Sequence, residues 1–592
     1  MFTTRPELAG TFGMVASTHW LASAAGMRIL ELGGNAFDAA VATGLTLHVV
    51  EPHLNGLGGD APIIGYSGKS GETFVICGQG PAPRGLSREH FQRLGLELVP
   101  GTGLLPAVVP GAFGAWTDLL QRFGRIDLRT IMTAAIEYAL NGYPLAARAV
   151  DTISTVASMF TEHWSGSAKI YLPKGRLPLP GARFSNPELG RTLVRILELA
   201  EAQATDREGQ IEAARRAFYE GFVAERIAEF VQLPSQDSSG SAHSGVLTFD
   251  DMCSWRPSYE APETASFGDF VVCKTGPWGQ GPVLLQQLSV LSRLNIQDAR
   301  PGTAEFMHAV IEGAKLAFAD REAYYGDPAF VDVPTRTLLS SGYADARAAL
   351  IGSQADSGFR PGPIDGFKPK WPSRISVQDE GGIAGLGEPT VSPVGESYGD
   401  TCHVDVVDRD GNLVSATPSG GWLQSSPTIP GLGFALSTRG QMFWLEPGLP
   451  NSLEGGKRPR TTLSPGLILR ADGSPYIAFG TPGGDQQDQW TVPFLVNHLL
   501  HGMNLQEAID YPTFHSTHVV SSFFPRSYTP NGVEVEGRVE PAVVAEMRAR
   551  GHVVRVRDEW SLGRISAVGV RSDGMKIAAA NPRGMQGYAV GR

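Results

Sequence analysis

The chain is 592 residues long, several times the size of an ordinary domain, and its 42% apolar and 18% charged residues describe a globular protein rather than a disordered chain or a coiled coil. Its 49 basic and 60 acidic side chains leave a formal charge of −11, with no long run of either sign. That balance excludes a phosphate-binding or polybasic membrane surface and makes nucleic acid an unexpected partner.

The N-terminal "MFTTRPELAGTFGMVASTHW" has one arginine and no continuous apolar stretch, and no later segment reaches the ~18 apolar residues of a membrane span, so a cytoplasmic location is expected. Residues 14–33 carry apolar side chains at helical spacing up to Gly33-Gly34, and Asn35 then caps a second helix, "AFDAAVATGLTLHVV". After the glycine-rich turn "NGLGGDA", "PIIGYS" and "TFVICGQ" flank "GKSGE" as a hairpin that ends at Gln79. Residues 108–232 read as mostly helical, 234–245 as a polar surface loop, and "GPVLLQQLSVLSRL" and "AEFMHAVIEGAKLAFADREAYYG" as two further helices. From 352 to 400 periodicity disappears into a long Gly/Pro-rich segment, a type uncommon inside a compact domain unless it has a function.

Beyond residue 400 the pattern is strand-like. "CHVDVVD" and "NLVSAT" flank the hairpin signal Asp410-Gly411, "GLILRA" and "PYIAFG" form a second pair, "TPGGDQQDQW" leads into the helix "TVPFLVNHLLHG", and "VVRVR" and "ISAVGVR" follow. Helices before, strands around and helices after predict an α/β sandwich of sheets and helices spanning both halves. Cys77, Cys253, Cys273 and Cys402 are widely spaced, which indicates neither a zinc site nor a disulfide framework, and no cofactor is called for.

The stretch "YGDTCH" at 398–403 offers a hydroxyl, a thiol, an imidazole and a carboxylate together. On an alternating strand Thr401, His403 and Asp405 share one face at steps of about 7 Å, too far apart for a directly bonded triad. Cys402 points the other way, as a small buried hydrophobe, and His403 is expected to be a packing residue. A hydroxyl still needs a base, and Thr401 gains one if the Asp400-Thr401 bond breaks: its own α-amine, which ordinarily titrates at about 8. "GTPGGDQ" places Gly483 and Gly484 after a strand and ahead of a helix, where bare backbone N–H groups can meet an oxyanion; Asp485, Gln486 and Gln487 read as a helix-capping cluster.

The chain resembles the γ-glutamyltransferase family of N-terminal nucleophile hydrolases over nearly its whole length. "LELGGNAFDAAVA", "NGLGGD", "ADREAYYGDPAFVDVP", "DTCHVDVVDRDGNLVSAT", "GKRPRTTLSPGLIL", "GTPGGD" and "NPRGMQGYAVGR" carry the likeness in the family's order. The resemblance implies a four-layer αββα sandwich and a proenzyme cut before Thr401 into a large subunit 1–400 and a small subunit 401–592 that stay associated. It also implies Thr401 as nucleophile, Ser419 orienting it, Gly483 and Gly484 as the oxyanion hole, Thr461 and Thr462 at the substrate carboxylate, and a homodimer of processed heterodimers as one possible assembly.

Three positions depart from the family. Gln79 stands where an arginine would clamp the α-carboxylate of glutamate, Trp444 where an acidic residue would hold the α-ammonium, and Gly421 where an asparagine would help. Without charge-assisted bonds a zwitterion would lose about 1.5–3 kcal/mol per bond. Trp422, Phe443 and Trp444 are expected to wall an apolar pocket, with Arg84, Arg439 or Arg460 as candidate replacement cations. The sequence therefore predicts a self-processing threonine amidohydrolase or acyltransferase acting on a small amide other than the standard γ-glutamyl group. True γ-glutamyl transfer or glutathione hydrolysis is the alternative, and an unprocessed, non-catalytic binding protein a third.

Overall fold

In a computed structural model, which describes residues 2–377, 401–585 and 587–592, two antiparallel sheets of seven strands dominate. Their strands are β1 (Leu8–Gly10), β2 (Met14–Ser17), β3 (Ile63–Ser67), β4 (Glu72–Cys77), β5 (Ser258–Glu260), β6 (Glu263–Phe267), β7 (Phe270–Lys274), β8 (Val404–Val407), β9 (Leu413–Ala416), β10 (Gly466–Arg470), β11 (Pro475–Gly480), β12 (Ser566–Val570), β13 (Lys576–Ala580) and β14 (Tyr588–Gly591). One sheet runs β1-β13-β12-β11-β10-β7-β6 and the other β14-β2-β8-β9-β3-β4-β5. Each therefore mixes strands from before and after residue 400.

Three apolar layers hold these sheets. Met14, Ala16, Ile64, Val75, Leu467, Ala478 and Val568 interdigitate between them. On the outer face of the β8 sheet, Val404, Val406 and Val414 pack against α1 (Trp20–Glu31) and α2 (Ala36–Val50). On the outer face of the other, Ile468, Ile477 and Phe479 pack against α3 (Gly281–Arg293), α4 (Ala304–Tyr324) and α5 (Gln487–Leu499). The result is the expected order helix, sheet, sheet, helix. With side chains alternating along a strand, β8 sends Val404 and Val406 to the helices and Val407 to the inter-sheet core.

Local chemistry explains the main elements. Asn35 caps α2 by accepting from Phe37 N and Asp38 N, and Asp38 returns a bond to Asn35 N. The β8–β9 hairpin turns at Gly411, whose φ of 80° favours glycine, while Asp408 Oδ1 accepts from Asp410 N and Asn412 N at 2.9 and 3.0 Å.

One expectation fails at the start of the chain. Residues 14–17 are not helical; they form β2, fully buried between β14 and β8 in register Val404↔Ser17 and Ser17↔Tyr588. Helix α1 begins only at Trp20, after His19 caps it through Leu21 N. Two ladders and complete burial override the local helical spacing. The Gly/Pro-rich segment 352–400 is described only as far as residue 377, and there it is irregular apart from Ser376–Val377.

Candidate active site

Thr401 lies at the head of β8, three residues before its first ladder pair, and its side chain is fully buried. A bridge to Ser419 fixes its backbone, and the two hydroxyl oxygens are 3.1 Å apart. Ser419 is itself held by Asp60, through Ser419 N to Asp60 O at 2.9 Å and Asp60 N to Ser419 O at 2.7 Å. Asp400 lies outside the described residues.

The expectation that His403 and Asp405 stand too far apart to bond is corrected: Nε2 and Oδ1 are 2.8 Å apart. Two side chains leaning toward each other along the strand close the i, i+2 gap that a backbone spacing alone leaves open. Asp405 also accepts from Ser566 Oγ, across the sandwich, at 2.9 Å. The pair is nonetheless not a base for Thr401, because the other nitrogen, His403 Nδ1, is taken by Thr417 Oγ1 at 3.0 Å. Cys402 faces the helical layer, where it meets Glu51 Oε2 and accepts from Asn55 Nδ2, both at 3.1 Å. Burial, reinforced by the Glu51 carboxylate, pushes its thiol far above the ordinary range, so it is no nucleophile.

The glycine turn follows β11. At Gly480 a Cβ would strike the His403 ring, so β11 can run this close to the segment that bears Thr401 and His403 only without a side chain there. Gly483 has φ 125° and Gly484 φ 54°, and a Cβ on Gly483 would run into Trp490. The turn is thereby restricted to glycine and leads through a short 3₁₀ turn into α5. Asp485 and Gln487 do not cap that helix. Asp485 pairs with Arg321 and accepts from Ser522 N and Oγ at 2.8 and 2.7 Å, and Gln487 Oε1 accepts from Ser464 N at 3.1 Å.

Gln79 Nε2 donates to Pro459 O, which brings it to the segment bearing Thr461 and Thr462. Gln79 Oε1 and the Thr462 hydroxyl are buried without a hydrogen-bond partner among the described residues, and Thr461 N donates to Trp278 O at 2.9 Å. Gly421, with φ 67°, turns against Gly58 and Gly59 and borders a narrow void with Gly56, Tyr143 and Phe434. Trp444 lies under the Arg526 guanidinium at 4.4 Å and donates at 3.3 Å to Glu322 Oε2, the carboxylate that Arg460, next to Thr461, also bonds. The expected single apolar wall is not formed: Phe443 and Trp444 belong to different clusters, and Trp422 lies under Arg439 instead. A cavity of about 560 Å³ beyond Trp444, lined by Arg88, Lys368, Lys370 and Leu449, reaches none of the predicted catalytic residues.

The three candidate arginines separate clearly. Arg84 is exposed and bonds Ser254 at 2.8 Å, and Arg460 is buried against Glu322. Arg439 is buried with its Nε 2.9 Å from Asp60 Oδ2, one residue contact from Ser419. Burial holds the Asp60 carboxyl above its ordinary value, and the Arg439 charge offsets only part of that rise. Sequence reading missed Asp60; its signal is an acid closing the glycine-rich "NGLGGD", where a buried turn leaves a charge in need of an internal partner.

A family model described as Gamma-glutamyltranspeptidase matches residues 22–591. The chain is 32% identical over 590 residues to the Glutathione hydrolase-like YwrD proenzyme of Bacillus subtilis, with 99% of each covered. It is 30% identical to the Oxamate amidohydrolase proenzyme of Klebsiella pneumoniae, with 97% of each covered. Among solved structures, LmbA2991HD superposes with a TM-score of 0.93 at 49% identity, all of both chains being covered. The cephalosporin acylase from Bacillus halodurans gives 0.81 at 28% identity over 100% of this chain and 97% of its own.

Proposed function

The chain belongs to the gamma-glutamyltranspeptidase family, and from that premise we propose that Thr401, freed as an N-terminus, is the nucleophile of an amidohydrolase whose acyl group is not γ-glutamyl. It is an amide-cleaving or acyl-transferring enzyme made as a precursor that is cut into a large and a small subunit, and its substrates are small molecules. The cut is assigned to the Asp400-Thr401 bond, giving subunits 1–400 and 401–592. A cytoplasmic location and a dimer of processed heterodimers belong to the same proposal; among the described residues no helix is long and apolar enough to cross a membrane.

The observation that carries the reading is the buried Thr401–Ser419 hydroxyl pair at the head of a central strand. In the precursor, Thr401 Oγ1 attacks the Asp400 carbonyl carbon, the C–N bond breaks, and water hydrolyses the resulting ester. The released α-amine is the base the hydroxyl lacked. It takes the Oγ1 proton as the oxygen attacks a substrate amide, Ser419 Oγ steadies that oxygen, and the N–H groups of Gly483 and Gly484 stabilise the developing oxyanion. The protonated amine then gives its proton to the departing amine, and water or an acceptor amine releases the acyl group.

Specificity rests on what stands at the three departures. Gln79 and Trp444 are uncharged and Gly421 has no side chain, so none of the three positions itself supplies a charge-assisted bond to a zwitterion, and the Glu322 carboxylate beside Trp444 is taken up by Arg321 and Arg460. Arg439 is the cation beside Ser419, and it already has Asp60 as counter-ion. The test is a panel of simple acyl amides, oxamate, glutathione and a γ-glutamyl anilide, assayed with the wild type and Thr401→Ala. The reading requires the simple amides to have the higher kcat/KM and the variant to be inactive on all. Preferential turnover of the γ-glutamyl compounds would establish the family's ordinary specificity instead.

A further inference from the structure

Far from the nucleophile in the chain, α4 and a loop after residue 550 place metal-ligand chemistry together. His308 and Glu312, one helical turn apart on α4, and His552 each offer a ligand atom, all within 4.8 Å of one another, and all three residues are buried. The first ring is already oriented. His308 Nε2 is 2.9 Å from Gly352 O, which can only accept, so Nε2 carries the hydrogen and Nδ1 presents its lone pair to His552 Nε2, 2.9 Å away. Such a carbonyl behind a histidine is the partner that ligating imidazoles characteristically have.

Two further observations point to a ligand rather than to packing. His552 Nδ1 is buried without a hydrogen-bond partner among the described residues. A cavity of about 380 Å³ opens against His552, and Glu534, Arg548 and Thr529 are among its lining residues. Both Glu534 carboxylate oxygens lack a hydrogen-bond partner there, with the Arg557 guanidinium 3.4 Å away.

We propose that His308 Nδ1, Glu312 and His552 Nε2 bind a divalent transition-metal ion, zinc by preference, with its fourth position open to this cavity. Two imidazoles and one carboxylate suit that class of ion, whereas calcium or magnesium would need a set of oxygens. Zinc ligands at about 2.0–2.1 Å in a tetrahedron stand roughly 3.3 Å apart, so the imidazole nitrogens need part by only a few tenths of an ångström. The proton on His552 Nε2 moves to the unpartnered Nδ1, and no proton is gained or lost. Lys315 Nζ, 2.6 Å from Glu312 Oε1, and Arg360, 3.2 Å from Oε2, orient the carboxylate. The ammonium also competes with the ion for it.

The ligands lie on both sides of residue 400. On the proposed cut ahead of Thr401, His308 and Glu312 belong to one product and His552 to the other, so the ion would tie the subunits together. Gly352, whose carbonyl orients His308, opens the segment that runs to the cut, and Ala355 N donates to Arg550 O at 2.7 Å beside the same loop. Metal binding itself does not depend on the cut.

The experiment uses chelator-stripped, full-length protein with Zn²⁺ and Co²⁺ as probes. The wild type and the uncut Thr401→Ala chain should each retain one zinc after desalting and develop a visible cobalt absorption. His552→Gln and Glu312→Gln, checked for native circular dichroism, should each bind at least about tenfold more weakly, and Lys315→Met should bind more tightly. Zinc should raise the urea midpoint at which the cut subunits separate in the wild type but not in His552→Gln. No retained metal and no cobalt band in the wild type, or undiminished binding in both ligand variants, would overturn the site. Binding by the wild type with equal midpoints in zinc and chelator would overturn the clasp.

Discussion

At Thr401 the side-chain hydroxyl meets another hydroxyl, Ser419 Oγ at 3.1 Å, and a hydroxyl orients but does not deprotonate. Ser419→Ala is therefore expected to slow self-cleavage and turnover together by about 10–100-fold, since misplacing a reacting atom by an ångström costs up to that order, and Ser419→Thr should recover most of the rate. Steady-state kinetics and the time course of precursor loss check this; processing that is untouched by Ser419→Ala would remove the residue from the site. Gly483→Ala meets two costs, a φ of 125° and a clash with Trp490. It should lose about 1–3 kcal/mol of stability and, through the displaced N–H, about 10²–10³ in kcat, read by urea denaturation and by initial rates. Thr401 and the glycine pair could be singled out because each sits in a short local motif, whereas Ser419 was reached only through the family resemblance; the structure brings Thr401 and Ser419 into contact. The Asp60–Arg439 pair was not legible, since its partners are 379 residues apart, and neither was the His403–Asp405 bond, which depends on side-chain lean rather than backbone spacing.

Among the elements, hairpins and long helices were readable from turn chemistry and periodicity, as β8–β9 with its Asp-Gly turn and α4 with its apolar run show. β2 was not, because its identity as a central strand is set by β8 and β14, contributed from the far end of the chain. The charges of α4 carried an unread signal: Asp320, Arg321 and Glu322 are consecutive in a helix buried on nearly every side, so all three require internal partners. Asp320 accepts from Gln286 Nε2 at 2.9 Å and Gly362 N at 2.8 Å, with Arg347 3.4 Å away. Burial outweighs these partners and raises its pKa to about 6. The folded state thus holds this proton where the unfolded chain, near 3.8, has released it, so stability should fall as pH rises from about 4 to about 6. Asp320→Asn should flatten that slope in thermal unfolding between these pH values, whatever its offset in absolute stability; an unchanged slope would assign the proton uptake to another group.

For the whole molecule, the interleaving of strands from either side of residue 400 in both sheets has a direct consequence. β8 lies between β2 and β9, and β7 pairs with β10, so neither product of the proposed cut ahead of Thr401 would contain a complete sheet. The two fragments are expected to co-elute on size exclusion without denaturant and to unfold in one transition; separate elution in native buffer would mean that the sheets are not shared. A sandwich of sheets and helices was foreseeable from the succession of helical and strand-like regions and its four-layer order from the family resemblance, but the pairings that share each sheet between halves were not, because strand pairing over hundreds of residues leaves no local trace. The central claim, that the reactive group is a threonine made N-terminal by the protein itself, is tested most directly by N-terminal sequencing of the smaller fragment from active protein. The sequence should begin Thr401-Cys402-His403, and Thr401→Ala should yield only the intact chain; an active wild-type preparation that is uncut, or a fragment that begins elsewhere, would contradict it.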